Sequence, residues 1–364
     1  MRKLFAIAAL AALGVSTAAA QSSWTAELGI QGGYAKIKPA GTKANDAITV
    51  FDIPGGSFLY STIAAGALYA IIPWHNKLAV EVQLGGSQLN AGASALTLGR
   101  VGLRGDYALS PQFYAAAGGM VHYIQGVGSE HMQLGVQAAL GYRRRLTNTI
   151  NGRLEASFTA TNKKVLGPVD VYSLQLGVSS SLGAKTAAPA SRRATSRAWE
   201  PAIGISGGYA SAHLVGTGTS FTGIFFPGAG SDLFLVAPLA TAPTMFVIIP
   251  MGQKLALEPG LDFHSAATAG TSIKVINVAA RLDYAVGNNW YAAAGGHLLD
   301  RSPSTGASGT ATGADVAWGY RFHLVGTFGG RFEANYSVTG KSTKLGAPAI
   351  NTLSLNLGAT IPLK

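Results

Sequence analysis

The sequence predicts an all-β chain: a transmembrane antiparallel up-and-down β-barrel protein made of two tandem eight-stranded barrels. Three observations point there. Apolar and polar residues alternate with period two through most of the chain, as in strands with one greasy and one polar face. The pattern returns later in the chain, with Gly141-Tyr142-Arg143 matched by Gly319-Tyr320-Arg321. Finally, mean hydropathy is positive at +0.26 while charged residues are only 12% of the chain. A water-soluble chain of this size carries about twice that charged fraction.

The N-terminus reads as an export signal over residues 1–20. Arg2 and Lys3 form the basic region, Leu4 to Val15 the apolar run, and Ala18-Ala19-Ala20 the cleavage site. The apolar run is too short to span a bilayer. The remaining chain carries 25 Lys and Arg against 16 acids and has no cysteine, so disulfides play no part. Two later runs approach membrane-helix length. Phe58 to Trp74 is broken by Ser61, Thr62 and Gly66 and closed by Pro73. Leu233 to Met251 holds Pro238, Pro243 and Pro250. Proline costs about 3 kcal/mol inside a helix, so neither run spans as one. A closed barrel is then the only structure that satisfies the backbone in lipid.

Residues 21–182 divide into eight strands, at 24–36, 58–73, 77–89, 94–108, 112–125, 131–145, 151–162 and 170–182. Gly183 to Ala198 reads as a linker. Residues 199–364 divide likewise, at 199–213, 233–250, 254–267, 273–286, 289–300, 311–323, 329–340 and 350–363. Trp24 with Gly32-Gly33-Tyr34 recurs as Trp199 with Gly207-Gly208-Tyr209, and Tyr114 to Gly119 recurs as Tyr291 to Gly296. Tight turns alternate with long loops, the longest at Ile37–Ser57 and Leu214–Asp232. Outer-membrane barrels show that asymmetry, with short turns on the periplasmic side.

Period two also assigns faces. Val80, Val82 and Leu84 oppose Glu81 and Gln83; Val101, Leu103 and Tyr107 oppose Arg100, Arg104 and Asp106. The inward set is expected to form lumen ion pairs: Glu81, Arg104, Asp106, Arg143, Arg153 and Glu155, then Glu258, Arg281, Asp283, Arg321, Arg331 and Glu333. Enclosed charges must be paired. Aromatics near strand ends are expected to form interfacial girdles: Trp24, Tyr34, Tyr107, Tyr142, Trp199, Tyr209, Tyr284 and Tyr320. The last loop of each repeat is basic (Lys163 and Lys164; Lys341 and Lys344), which suits contact with lipid phosphates.

Each repeat resembles the small outer-membrane β-barrel family of OmpA, OmpX and opacity proteins. The resemblance rests on Gly32-Gly33-Tyr34, Leu78-Ala79-Val80-Glu81, Tyr114 to Gly119, and the Gly141-Tyr142-Arg143…Arg153-Leu154-Glu155-Ala156 hairpin, with their second-repeat matches. It implies a bacterial outer-membrane location, lipopolysaccharide as a lipid partner and insertion by the barrel-assembly machinery. Family members usually end on an aromatic residue, whereas this chain ends Ile361-Pro362-Leu363-Lys364. Pro243, in an expected strand, is a second departure.

Catalytic motifs do not emerge. There is no Walker loop, Cys/His cluster or Gly-x-Ser-x-Gly elbow. The adjacent His264-Ser265 would point to opposite faces of a strand. No cofactor is expected, and nucleic acid has no supporting fold or compartment. Both first loops carry aromatic-Pro-Gly segments, Phe51 to Gly55 and Phe225 to Gly228. They fit either an adhesive patch or strands running on past the membrane. Two functions remain open: a non-enzymatic surface barrel for envelope integrity or adhesion, and a passive diffusion porin made of one sixteen-stranded barrel. Eight strands leave a lumen filled by side chains, whereas sixteen leave a channel.

Overall fold

The structure is a computed structural model describing residues 24–39, 47–53, 68–91, 94–126, 129–147, 149–162, 168–182, 199–226, 245–287, 289–306, 308–325, 328–342, 344 and 348–363. The expected export signal, the linker and Pro243 lie outside these residues. The described chain is antiparallel strand throughout. The first half holds β1 (Glu27–Pro39), β2 (Ile48–Ile53), β3 (Leu68–His75), β4 (Leu78–Ala91), β5 (Ser94–Ala108), β6 (Phe113–Gly126), β7 (Ser129–Arg145), β8 (Ile150–Thr161) and β9 (Val169–Ser181). The second half holds β10 (Ala202–Leu214), β11 (Ser220–Phe226), β12 (Met245–Pro250), β13 (Leu255–Thr268), β14 (Thr271–Ala285), β15 (Trp290–Pro303), β16 (Gly309–Val325), β17 (Phe328–Thr339) and β18 (Ile350–Pro362).

Strand pairing differs between the two ends of the molecule. At the end with tight turns, each half closes on itself. β1 pairs β3, the ladder runs from β3 and β4 to β9, and β9 returns to β1 from Glu27↔Ser181 to Pro39↔Val169. β10, β12 and β13 to β18 form a matching ring closed by β10 and β18. Each is a ring of eight strands. At the end with long loops the halves merge. β2 lies between β1 and β13, and β11 lies between β10 and β4. The ladder there runs β1, β2, β13 to β18, β10, β11, β4 to β9 and back to β1. That is one ring of sixteen.

The sequence reading placed β2 and β11 in the loops Ile37–Ser57 and Leu214–Asp232, and this is corrected. Both are short strands, and both cross the boundary between the two halves. Inward Val50 packs with Ala35, Ile37, Val169 and Val171. Outward Phe51 meets Phe263 of the other half edge to face, centroids 5.5 Å apart. Buried Asp52 contacts His264 Nδ1 at 2.7 Å. The expected strands 58–73 and 233–250 are described only from Leu68 and Met245 onward.

The changeover between partners falls at the repeated Gly-Gly-Tyr. On β1 the pairs to β3 stop at Ile30 and those to β2 start at Gly33. On β10 they stop at Ile205 and restart at Gly208. A Cβ at Gly33 or Gly208 would run into the carbonyl oxygen of Leu174 or Leu355 on the neighbouring strand. Only glycine allows that approach. Proline leaves its own mark on β13. Pairs with β12 are present at Gly260 and Leu257 but missing at Pro259 between them, where no N–H exists to donate.

Facing follows the period-two reading. β8 alternates buried Arg153, Glu155, Ser157 and Thr159 with exposed Leu154, Ala156 and Phe158. The outer surface is apolar where it is most open: Val136 is 66% exposed, Leu140 63% and Leu176 60%. A soluble sandwich would have buried these and wetted the arginines.

Candidate functional site: two buried ionic plugs

Strand period builds the site. β4 turns Glu81 and Gln83 inward, β5 turns Arg100, Arg104 and Asp106 inward, and β8 turns Arg153 and Glu155 inward. Because β8 lies across the ring from β4 and β5, the long side chains meet in the lumen. Arg104 Nη1 and Nη2 donate to the two Glu155 carboxylate oxygens at 2.8 and 2.5 Å. Arg104 also reaches Glu81 at 3.1 Å and Asp106 at 3.0 Å. Arg153 Nη1 donates to Glu81 at 2.6 Å, and its Nη2 donates to the Gln31 side-chain oxygen. Tyr114 hydroxyl donates to Glu155 at 2.6 Å.

Aromatic rings floor this cluster on the turn side. The Arg153 guanidinium lies 3.7 Å from the centre of the Tyr69 ring, and that of Arg143 lies 4.3 Å from Trp24. Trp24 meets Tyr114 edge to face at 5.4 Å and donates its indole N–H to the Lys77 carbonyl at 3.2 Å. Arg143 also faces Glu27 at 3.6 Å. The Tyr114 ring lies across Gly141, where a Cβ would collide with it. This is the packing reason for the Gly-Tyr-Arg pattern. A bare glycine on one strand is covered by an aromatic ring from the next.

The second ring repeats the arrangement. Arg281 grips Glu333 at 2.8 and 2.5 Å and reaches Glu258 at 2.9 Å and Asp283 at 3.1 Å. Arg331 contacts Glu258 at 2.5 Å and sits 3.6 Å from the Phe246 ring centre. Tyr291 donates to Glu333 at 2.7 Å. Trp199 donates to the Lys254 carbonyl at 2.9 Å beneath the Arg321 guanidinium. In each ring two central arginines are shared among three carboxylates. Buried charges survive in low dielectric only when paired and hydrogen-bonded this closely.

All twelve residues expected as lumen ion pairs point inward, and Arg321 among them lies over the Trp199 ring. Two girdle assignments are corrected. Trp24 and Trp199 are each 2% exposed and lie inside the floor. The reading extended strand parity through them, but the ladders begin at Glu27 and Ala202. The residues ahead of each ladder are free to fold the indole inward, where its N–H finds a carbonyl and its face a guanidinium. Tyr34, Tyr107, Tyr209 and Tyr284 are exposed on the outside, and Tyr142 and Tyr320 are partly so. Lys341 and Lys344 are exposed at the loop end; Lys163 and Lys164 lie outside the described residues.

Two histidine contacts escaped the sequence reading. His264 bonds Asp52 across the halves, which required β2 to be a strand. His297 Nδ1 lies 2.8 Å from Asp315 and its Nε2 2.9 Å from the Thr339 hydroxyl. This hydroxyl, imidazole and carboxylate line resembles a nucleophile relay. Thr339 is buried, at 1% exposure. Among the described residues no group of His, Asp and Glu is arranged to hold a metal ion.

Fold and interior together define the class: a closed antiparallel β-barrel chain with an apolar outer face and charge-filled rings. No family model and no curated protein matches the sequence. Among solved structures it is similar to OmpT lacking loop L8, an outer membrane protein of Vibrio cholerae, at 8% identity over 93% of this chain and 98% of that one (TM-score 0.25). It is similar to a FadL homologue of Pseudomonas aeruginosa at 11% identity over 93% and 90% (TM-score 0.24). The translocator domain of the autotransporter NalP from Neisseria meningitidis matches at 11% over 100% and 94% (TM-score 0.23). Likeness at this distance carries nothing about function.

Proposed function

We propose that the chain is an integral bacterial outer-membrane barrel protein with a non-enzymatic, structural or surface role in the envelope. The carrying observation is the paired plug. Both turn-end rings are filled at matching positions by Arg104 with Glu81 and Glu155, and by Arg281 with Glu258 and Glu333. An eight-stranded ring is just wide enough for side chains to fill it, and these two are filled by groups tied down at two or more points. The exposed apolar exterior supports insertion in a bilayer, since large exposed apolar surfaces mark contact with a partner or membrane.

The expected result in a planar lipid bilayer is electrical silence, with no stable large conductance steps from the full chain. Long-lived large steps would defeat the plugged-barrel reading. They would favour a diffusion porin, for which the loop-end ring of sixteen is the one supporting observation.

The reading places the loop end outward, with lipopolysaccharide as its lipid partner and the barrel-assembly machinery as its route of insertion. Lys341 and Lys344, exposed there, suit glycolipid phosphates, as Lys163 and Lys164 do by sequence. Replacing all four by glutamine is expected to weaken lipopolysaccharide binding at low salt by roughly fivefold for each lysine in contact. Unchanged binding in a pull-down with immobilised lipopolysaccharide would remove that partner.

A further inference from the structure

We propose that the cleft between the two turn-end rings is a slot for the acyl chains of a phospholipid from the turn-side leaflet. The inference rests on the membrane-barrel reading and names a lipid held between the rings, apart from the glycolipid at the loop end.

Strand pairing creates the cleft. β3 closes the first ring between β1 and β4, and β12 closes the second between β10 and β13. Beyond the changeover, β2 joins β1 to β13 and β11 joins β10 to β4. β3 and β12 are therefore the walls whose outer faces turn toward each other, in the angle where one ring forks into two. At the fork only β2 separates β1 from β13, a gap of two strand spacings or about 10 Å. From there the walls open toward the turns. Leu68, Ala70 and Ile72 of β3 and Met245 and Val247 of β12 are partly buried. Further down, Ile249 is 45% exposed, Met251 54% and Trp74 70%.

Chemistry and depth select the occupant. The outward side chains of both walls are apolar from Leu68 to Trp74 and from Met245 to Met251. On the inner faces Tyr69, Ile71, Phe246 and Ile248 are packed and buried, so the cleft is separate from the two lumens. Water there would find no polar side chain to bond, whereas the cleft lies open sideways to hydrocarbon. β3 has eight residues and β12 six. At about 3.3 Å per residue and a tilt of about 40°, such walls cover roughly 15–20 Å of depth. That is close to one leaflet's share of a hydrocarbon core about 30 Å thick. The slot therefore fits acyl chains that enter from the turn side and end at the fork.

The test extracts the full chain from membranes in detergent, washes it exhaustively and weighs it by native mass spectrometry. The wild type is expected to keep a phospholipid that the wash does not remove. Ala70→Phe with Val247→Phe puts two rings into the slot and should lower retention about tenfold, the effect of overpacking by about 1.4 kcal/mol. Ala138→Phe, which adds the same bulk on the exposed outer wall of β7, should leave retention unchanged. A second measurement needs no variant. The wild type is reconstituted with a phospholipid carrying a diazirine in its acyl chain, re-extracted, washed and then illuminated. The label should fall on Leu68–Trp74 and Met245–Met251. A wild type that retains no phospholipid, a double variant that retains as much as the wild type, or a label confined to β6–β8 overturns the slot. A chain that stays in the aqueous phase and does not float with vesicles overturns the membrane reading beneath it, so the two failures are distinguishable.

Discussion

Replacing Arg104 by leucine should destabilise the barrel by about 3–5 kcal/mol, the cost of removing one partner from a buried ion pair. Three carboxylates depend on this guanidinium: Glu155 through two donors, Glu81 and Asp106. Without it, Arg153 is the one cation left against Glu81 and Glu155 among the described residues, and Asp106 loses its ion pair. The measurement is urea unfolding in vesicles or micelles, followed by tryptophan fluorescence. Arg281→Leu should behave alike, since Arg281 holds Glu258, Asp283 and Glu333 in the same way. Adding Glu155→Gln to Arg104→Leu should recover part of the loss, because a neutral amide no longer needs the missing charge. If Arg104→Leu unfolds at the wild-type denaturant concentration, the plug does not hold the fold together.

Joining Thr49 to Ala267 by a disulfide tests the merger of the two halves. These residues are opposite each other on β2 and β13, where antiparallel Cα atoms lie about 4.5–5.5 Å apart and within disulfide reach. With Thr49→Cys and Ala267→Cys and a protease site placed in the linker, the cut halves should remain covalently joined until reduced. The chain has no native cysteine to confuse the result. If each half instead closed alone throughout, Thr49 would face Asn90. On the other seam Asn90 faces Thr222, the counterpart of Thr49. A cross-link that forms at high yield between cysteines at 49 and 90, and not between 49 and 267, would sink the ring of sixteen.

Much of the plug was legible because a strand has only two faces. Once Glu81, Arg104, Arg153 and Glu155 were seen opposite valine and leucine, hydrocarbon outside left them only the inside. Gly141 with Tyr142 and Arg143 was recognisable as a motif, yet its purpose needed Tyr114 lying across the glycine from another strand. Trp24 misled the reading because parity has no meaning beyond the end of a ladder. Asp52 could not be matched to His264 from sequence, since they are 212 positions apart and in different halves of the chain.

The chain's own alternation determined which side chains face out and which face in, and so the all-β class, the apolar exterior and the membership of each ionic cluster. Which strand lies beside which was decided only in three dimensions. Side-chain period is a property of a single strand, whereas pairing is made by backbone N–H and C=O groups that are chemically alike at every residue. A short strand such as Ile48–Ile53 satisfies its own alternation equally well beside Leu78–Ala91 or beside Leu255–Thr268. Contacts at the seam choose the second: Phe51 against Phe263, and Asp52 against His264. That choice turns two small closed rings at one end into a single large one at the other.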